Sequence, residues 1–148
     1  MNLESMYQEL ILEHYKHPQG KGLRSPSDVE VHHVNPTCGD EINLRVHIVD
    51  GVLIDVSYDG QGCSISQASA SVMWELVQGH PIDDVLKVEA EFLSLMQSKG
   101  SIAGDEDVLG DAVAFSGVSK FPARVKCALL PWMALKDAVI QVQMKEKS

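Results

Sequence analysis

Residues 41–59 read Glu41-Ile42-Asn43-Leu44-Arg45-Val46-His47-Ile48-Val49-Asp50-Gly51-Val52-Leu53-Ile54-Asp55-Val56-Ser57-Tyr58-Asp59. Before Asp50-Gly51, Ile42, Leu44, Val46 and Ile48 alternate with Asn43, Arg45 and His47. After it, Val52, Ile54, Val56 and Tyr58 alternate with Leu53, Asp55, Ser57 and Asp59. Such a two-residue period around a turn predicts an antiparallel hairpin with one buried face. A two-residue Asp50-Gly51 turn would set Ile42 against Asp59 and Val46 against Asp55, mixing the faces. A three-residue loop, Val49-Asp50-Gly51, sets Ile42 against Tyr58, Leu44 against Val56 and Val46 against Ile54, with Arg45 opposite Asp55. A one-residue slip turns every side chain over, so face matching selects the three-residue loop, with Gly51 in its left-handed position. Cys38 and Cys63 then both lie just beyond the open end of this hairpin, neighbours in space although distant in sequence.

Working outward, a strand is expected at Val29–Val34 and a helix from Leu3 to about His17, with Leu3, Met6, Tyr7, Leu10, Ile11, His14 and Tyr15 on one stripe. Pro18, Gly20 and Gly22 end that helix and open a loop through Asp28. Beyond the hairpin, Ser64 with Gln67 three residues on reads as a capping box for a helix to about Gln78. Its first half is rich in small residues that favour close packing. Cys63 thus lies just before a helix N-terminus, where the dipole favours a thiolate. A second helix is expected over Ile82–Ser98, then a short helical piece around Val108–Phe115, and a last helix from Phe121-Pro122 to about Lys145. Pro131 cannot donate to the carbonyl of Cys127 and crowds it, which predicts a kink or a fresh start there. Met144–Ser148 reads as a frayed tail.

The 148 residues suit one domain, 1–148, with a real core. Hydrophobic residues are 45% and charged residues 22%, which argues against disorder. No apolar run reaches the roughly 18 residues of a membrane span, and no secretory signal opens the sequence; a cytoplasmic location is expected. A net charge of −9 disfavours general binding to nucleic acid or anionic membrane. It points instead to a protein partner with a basic patch, or to a cation.

Three cysteines, Cys38, Cys63 and Cys127, make an odd number and argue against a disulfide framework. Cys38-Gly39-Asp40 adds a carboxylate two residues from the first thiol, and Gly60-Gln61-Gly62-Cys63 places the second on a permissive loop. Three thiolates and a carboxylate match the tetrahedral preference of Zn²⁺, and the same ligands suit an iron–sulfur cluster. Without a C-x-x-C pair, three packing cysteines read equally well from residue types alone.

Three blocks settle the comparison differently. Asn35-Pro36-Thr37-Cys38-Gly39-Asp40, Gly60-Gln61-Gly62-Cys63-Ser64-Ile65-Ser66 and Phe121-Pro122-Ala123-Arg124-Val125-Lys126-Cys127-Ala128 resemble, in order, the motif blocks of the IscU/NifU-N family of iron–sulfur cluster biogenesis proteins. The resemblance spans nearly the whole chain, Glu13-His14-Tyr15 included. It is nearest to the SufU branch: Lys126 stands where IscU-type scaffolds carry histidine, and the stretch between the second and third cysteines is long. Pro131 departs from the small helix-forming residue usual in SufU relatives. The resemblance implies an α+β fold, a small antiparallel sheet of about three strands with helices on one face. It implies that Cys38, Asp40, Cys63 and Cys127 bind Zn²⁺. It implies that Cys38 accepts sulfur from a SufS-type, pyridoxal-phosphate-dependent cysteine desulfurase and that downstream iron–sulfur assembly proteins follow. The alternative is a scaffold assembling a [2Fe–2S] cluster on the same ligands.

Other readings are weaker. The deaminase signature H-x-E…P-C-x-x-C and the H-E-x-x-H motif are absent, which disfavours a hydrolytic zinc enzyme. A purely structural zinc module is distinguished by the lack of any effect on a desulfurase. Arg124 and Lys126, beside the third cysteine, are candidate partner contacts or simple surface charges. His14 and His17, three apart on a helix, could pair on a metal, but His14 lies on the apolar stripe and reads as a packed histidine. His32-His33 receive no role. Trp74 and Trp132 read as core, and Asp105-Glu106-Asp107 as a solvated turn.

Overall fold

A computed structural model describes residues 2–147. The elements run α1 (Leu3–Lys16), β1 (Val29–Asn35), β2 (Asp40–Val49), β3 (Val52–Gln61), α2 (Ser64–Val77), α3 (Ile82–Gln97), α4 (Glu106–Leu109), a 3₁₀ helix (Gly110–Lys120) and α5 (Pro122–Lys147). The three strands form one antiparallel sheet in the order β1-β2-β3. The expected α+β class, with its three-stranded sheet, is what the chain adopts. Val29 and Val31 of β1, Ile42, Leu44 and Val46 of β2 and Leu53, Val56 and Tyr58 of β3 are buried, where α5 lies across β1 and β2 and α2 along β3.

The hairpin register differs from the one face matching selected. Val49 pairs with Val52 and Ile48 with Leu53, so the turn is the two-residue Asp50-Gly51. Both residues have positive φ, 53° and 77°, as a type I′ turn requires; its backbone follows the twist of the flanking strands. The register then shifts between His47 and Ile48, where Ile54 is an extra residue on β3. This bulge restores the parity of the faces: Val46 meets Val56 and Leu44 meets Tyr58. Leu53 therefore points inward, fully buried, whereas Ile54 is 43% exposed. Asp55 lies opposite His47 and Arg45 opposite Ser57. Arg24 takes the expected place of Arg45, binding Asp55 at 2.7 Å, and Arg45 pairs instead with Glu30 at 2.5 Å.

The helices carry further corrections. Along α1 the buried stripe narrows: Leu3, Met6 and Tyr15 are exposed, while His14 is buried and Tyr7 and Ile11 pack against the core. Cys63, not Ser64, occupies the N-cap of α2 and makes no side-chain cap bond. The small residues of α2 are buried as expected: Ser66, Ala68, Ser69, Ala70 and Ser71. Asp105 is no plain turn residue but caps α4, accepting the Asp107 N–H at 3.0 Å. α5 is unbroken through Pro131, with no fresh start. It continues to Lys147, so the expected fraying does not begin at Met144; Ser148 lies outside the described residues.

Trp132, fully buried, stacks on Phe92 at 4.6 Å between centroids. Its indole N–H donates to Ser69 Oγ, whose hydroxyl donates to the Ala128 carbonyl. That chain fixes α5 against α2 one residue past Cys127. Trp74 is partly buried and donates to the Val56 carbonyl at 3.0 Å. No helix of the described residues is long and apolar enough to cross a membrane.

Candidate metal centre

Cys38 and Asp40 are brought in by a different hairpin from the one the sequence emphasised. Asn35 pairs with Asp40 at the end of β1 and β2, and Pro36-Thr37-Cys38-Gly39 forms the loop between them. The Cys38 N–H donates to the Asn35 carbonyl at 3.3 Å, and Gly39 turns the chain at φ 70°, a conformation glycine adopts without penalty. Cys38 stands exposed at this tip. Cys63 arrives from the neighbouring strand, two residues after the final β2–β3 pair, Glu41 with Gln61. Cys127 arrives from the second turn of α5, buried, its thiol donating to the Ala123 carbonyl at 3.5 Å.

Asp40 joins these pieces. It is fully buried, and its Oδ1 accepts the backbone N–H of Cys63 at 2.8 Å. Its Oδ2 lies 3.9 Å from Cys63 Sγ. A Cβ at Gly62 would stand 2.3 Å from Asp40 Oδ1 and 2.6 Å from Ser66 Oγ, so only glycine lets the loop approach the carboxylate this closely. Ligand atoms of Cys38, Asp40 and Cys127 all fall within 4.8 Å of one another. Cys63 touches Asp40 but is not part of that mutual set. The four predicted residues thus meet at one end of the sheet, with three already clustered and the fourth at the rim.

The donor chemistry fits a thiophilic cation. Burial pushes the Cys127 thiol well above the ordinary thiol range, and Asp40, Cys38 and Cys63 push it further the same way. Several anions cannot share such a volume unaided. A divalent cation removes that conflict, and thiolate with carboxylate is a donor set suited to zinc. Cys63, as N-cap, also sits at the positive end of the α2 dipole.

Three residues in the quoted blocks also lie against the cysteines and Asp40, although none was expected at the site. Asn35 is buried, with its amide Nδ2 4.0 Å from Cys127 Sγ. Ser66 donates to the Cys63 carbonyl at 3.1 Å and lies 3.9 Å from Cys63 Sγ. Gly62 admits Asp40. A polar residue beside a strand end and a glycine before a ligand are the only signals that could have marked them. Arg124 and Lys126 are exposed. The Arg124 guanidinium lies 5.1 Å over the Phe121 ring, at the edge of a groove of about 760 Å³ that also holds Tyr7, Ile11, Ile65 and Ile102. His17 is exposed and apart from His14.

The chain resembles known proteins over nearly its whole length. It is 44% identical over 138 residues to the zinc-dependent sulfurtransferase SufU of Bacillus subtilis, covering 93% of this chain and 92% of that protein. It is 37% identical over 138 residues to the iron–sulfur cluster assembly scaffold protein IscU of Streptococcus pyogenes, covering 93% and 84%. Its fold matches the crystal structure of a putative iron–sulfur cluster assembly scaffold protein for the SUF system from Fervidobacterium islandicum. That match has a TM-score of 0.81 and 33% identity, and covers 93% of this chain and 98% of the other. The sequence pattern of the NifU-like N-terminal domain matches residues 6–128, and the chain belongs to that family.

Proposed function

We propose that this chain, working as a single domain, is a SufU-type iron–sulfur cluster assembly protein that accepts sulfur at Cys38 from a SufS-type cysteine desulfurase. One observation carries the reading: an exposed thiol is grouped with a buried carboxylate and a buried thiol within 4.8 Å. Cys38, Asp40, Cys63 and Cys127 would hold Zn²⁺, which when bound keeps its ligating thiols deprotonated near neutral pH.

The chain's own residues then divide the work. Buried Asp40 and Cys127 form the fixed floor of the site. Cys38, at the tip of a loop, is the thiol a partner can reach. Its thiolate attacks the outer sulfur of the desulfurase persulfide; a new S–S bond forms on Cys38 as the donor's S–S bond breaks and its cysteine thiolate leaves. Arg124 and Lys126, exposed near Cys127, face the partner, and downstream assembly proteins take the sulfur onward.

The test is sulfur transfer from desulfurase and labelled cysteine, scored as persulfide on this chain. Cys38→Ser loses acceptance and no longer stimulates the desulfurase; stimulation retained by that variant overturns the proposal. Colour tests the scaffold reading: zinc-loaded protein has no visible absorption, whereas a stable [2Fe–2S] cluster on these ligands is coloured.

A further inference from the structure

A second group of ligating side chains lies away from the cysteines. His14 comes from the last turn of α1, Glu75 from the last turn of α2, and Asp111 from the start of the 3₁₀ helix. His14 Nε2 is 3.1 Å from Asp111 Oδ2 and 3.6 Å from Glu75 Oε2. All three ligand atoms lie within 4.8 Å of one another.

The histidine is built in from behind. It is only 7% exposed, and its Nδ1 lies 2.8 Å from Ser71 Oγ, which also accepts the Gln19 N–H at 2.8 Å. A second partner on the far ring nitrogen fixes the ring's direction, as it does for metal-bound histidines. Outside the cluster, Nε2 has no partner among the described residues. The two carboxylates are 41% and 45% exposed, leaving an entry for an ion and its waters. Metal–ligand bonds of about 2.0–2.2 Å put adjacent donors about 3.0–3.5 Å apart, close to both measured separations. The two carboxylates carry a charge that a divalent cation cancels.

We propose that His14, Glu75 and Asp111 form a second, thiolate-free divalent-cation site for an ion of the Mn²⁺ or Fe²⁺ class, tying α1 to α2 and the 3₁₀ helix. Imidazole and carboxylate donors suit such ions, whereas thiolates favour softer ones, so the two sites would sort metals by chemistry.

Mn²⁺ is the probe. The full chain is titrated while the electron paramagnetic resonance signal of free aqueous Mn²⁺ is followed. One saturable Mn²⁺ per chain is expected, weakened at least tenfold by Asp111→Asn and by Glu75→Gln. Mn²⁺ should also raise the melting temperature of the wild type and not that of Asp111→Asn. Both substitutions are at partly exposed side chains, so the fold survives them. No binding at millimolar Mn²⁺, or binding unchanged in both variants, overturns the proposal and leaves His14 as a histidine satisfied by carboxylates alone. None of these readouts depends on the cysteines.

Discussion

The two ends of the β2–β3 hairpin solve opposite problems. At the Asp50-Gly51 end the backbone satisfies itself. Leu53 N–H donates to the His80 carbonyl at 2.9 Å, Gly79 N–H to the Leu53 carbonyl at 2.8 Å, and Ile82 N–H to the Gly51 carbonyl at 2.8 Å. At the other end, past Glu41 and Gln61, the strands are joined through a side chain, Asp40 accepting from Cys63. The polar atoms there are thiols and a buried carboxylate that crowd one another; burial first, and then these neighbours, raise the Cys127 pKa. One end is closed by backbone hydrogen bonds; the other gathers ligating side chains at one point. Backbone closure and the cluster of ligating side chains thus lie at opposite ends of two strands.

The strongest way to break that division is at the extremes. Cys38→Ser should abolish sulfur acceptance and yet shift folding stability by no more than about 0.5 kcal/mol, as for other exposed substitutions. Persulfide labelling and urea unfolding of the same variant check both halves. A large stability loss would mean that the open end also carries the fold.

At the closed end the expected effect is on stability alone. Leu53 is fully buried and Ile54 is 43% exposed. Leu53→Ala should therefore cost about 2–5 kcal/mol, while Ile54→Ala stays within about 1 kcal/mol. Equal costs in urea unfolding would disprove the bulge at His47–Ile48.

That bulge is also where sequence reasoning stopped short. Alternation identified both strands, the buried face of β2 and the Val56 and Tyr58 end of β3, but it exchanged Leu53 and Ile54; Asp50-Gly51 is the strongest short hairpin signal there is. A regular ladder on a two-residue turn mixes the faces, so a longer loop was the simplest repair. The chain keeps the short turn and inserts Ile54, because one extra residue corrects parity wherever it is placed. Nothing in the alternation says where. Cys38 and Cys63 reach the same end of the sheet in either register, because they need only share an end, not a rung. The closeness of Asp40 to Cys38 was legible from their spacing; the placement of Asn35, Ser66 and Gly62 beside them was not, since it depends on a third element. His14 was read as packed, and it is buried. Its partners Glu75 and Asp111 come from elements that no motif links. Of the two outcomes Pro131 allowed, a kink or a fresh start, the fresh start does not occur: α5 runs through the proline, beside the fully buried Trp132.

Glycines sharpen the comparison. Gly51 has φ 77° with nothing near a would-be Cβ, whereas Gly62 would place one 2.3 Å from Asp40 Oδ1. Gly51→Ala should cost about 1–2 kcal/mol through backbone conformation and leave metal retention unchanged. Gly62→Ala should weaken metal retention at least tenfold in chelator competition, by displacing the carboxylate. The reverse pattern would exchange the functions assigned to the two ends.

The smallest effect concerns a buried carboxylate that belongs to neither end. Glu89 on α3 is 3% exposed, its Oε1 has no hydrogen-bond partner among the described residues, and Lys136 lies 4.0 Å from its other oxygen. Burial raises its carboxyl above the ordinary value of 4.5, with Lys136 opposing. A raised carboxyl favours the native state when protonated, so its contribution is fully present below about pH 4.5 and is lost as pH rises through the folded-state value. Glu89→Gln removes the ionisable group, so the variant should gain about 1 kcal/mol at pH 7 and lose that advantage below pH 4.5. Thermal unfolding at the two pH values checks it. Asp40 is more deeply buried, and Asp40→Asn should instead abolish tight metal binding: burial alone costs stability, and it becomes function only where other ligands converge on the same point.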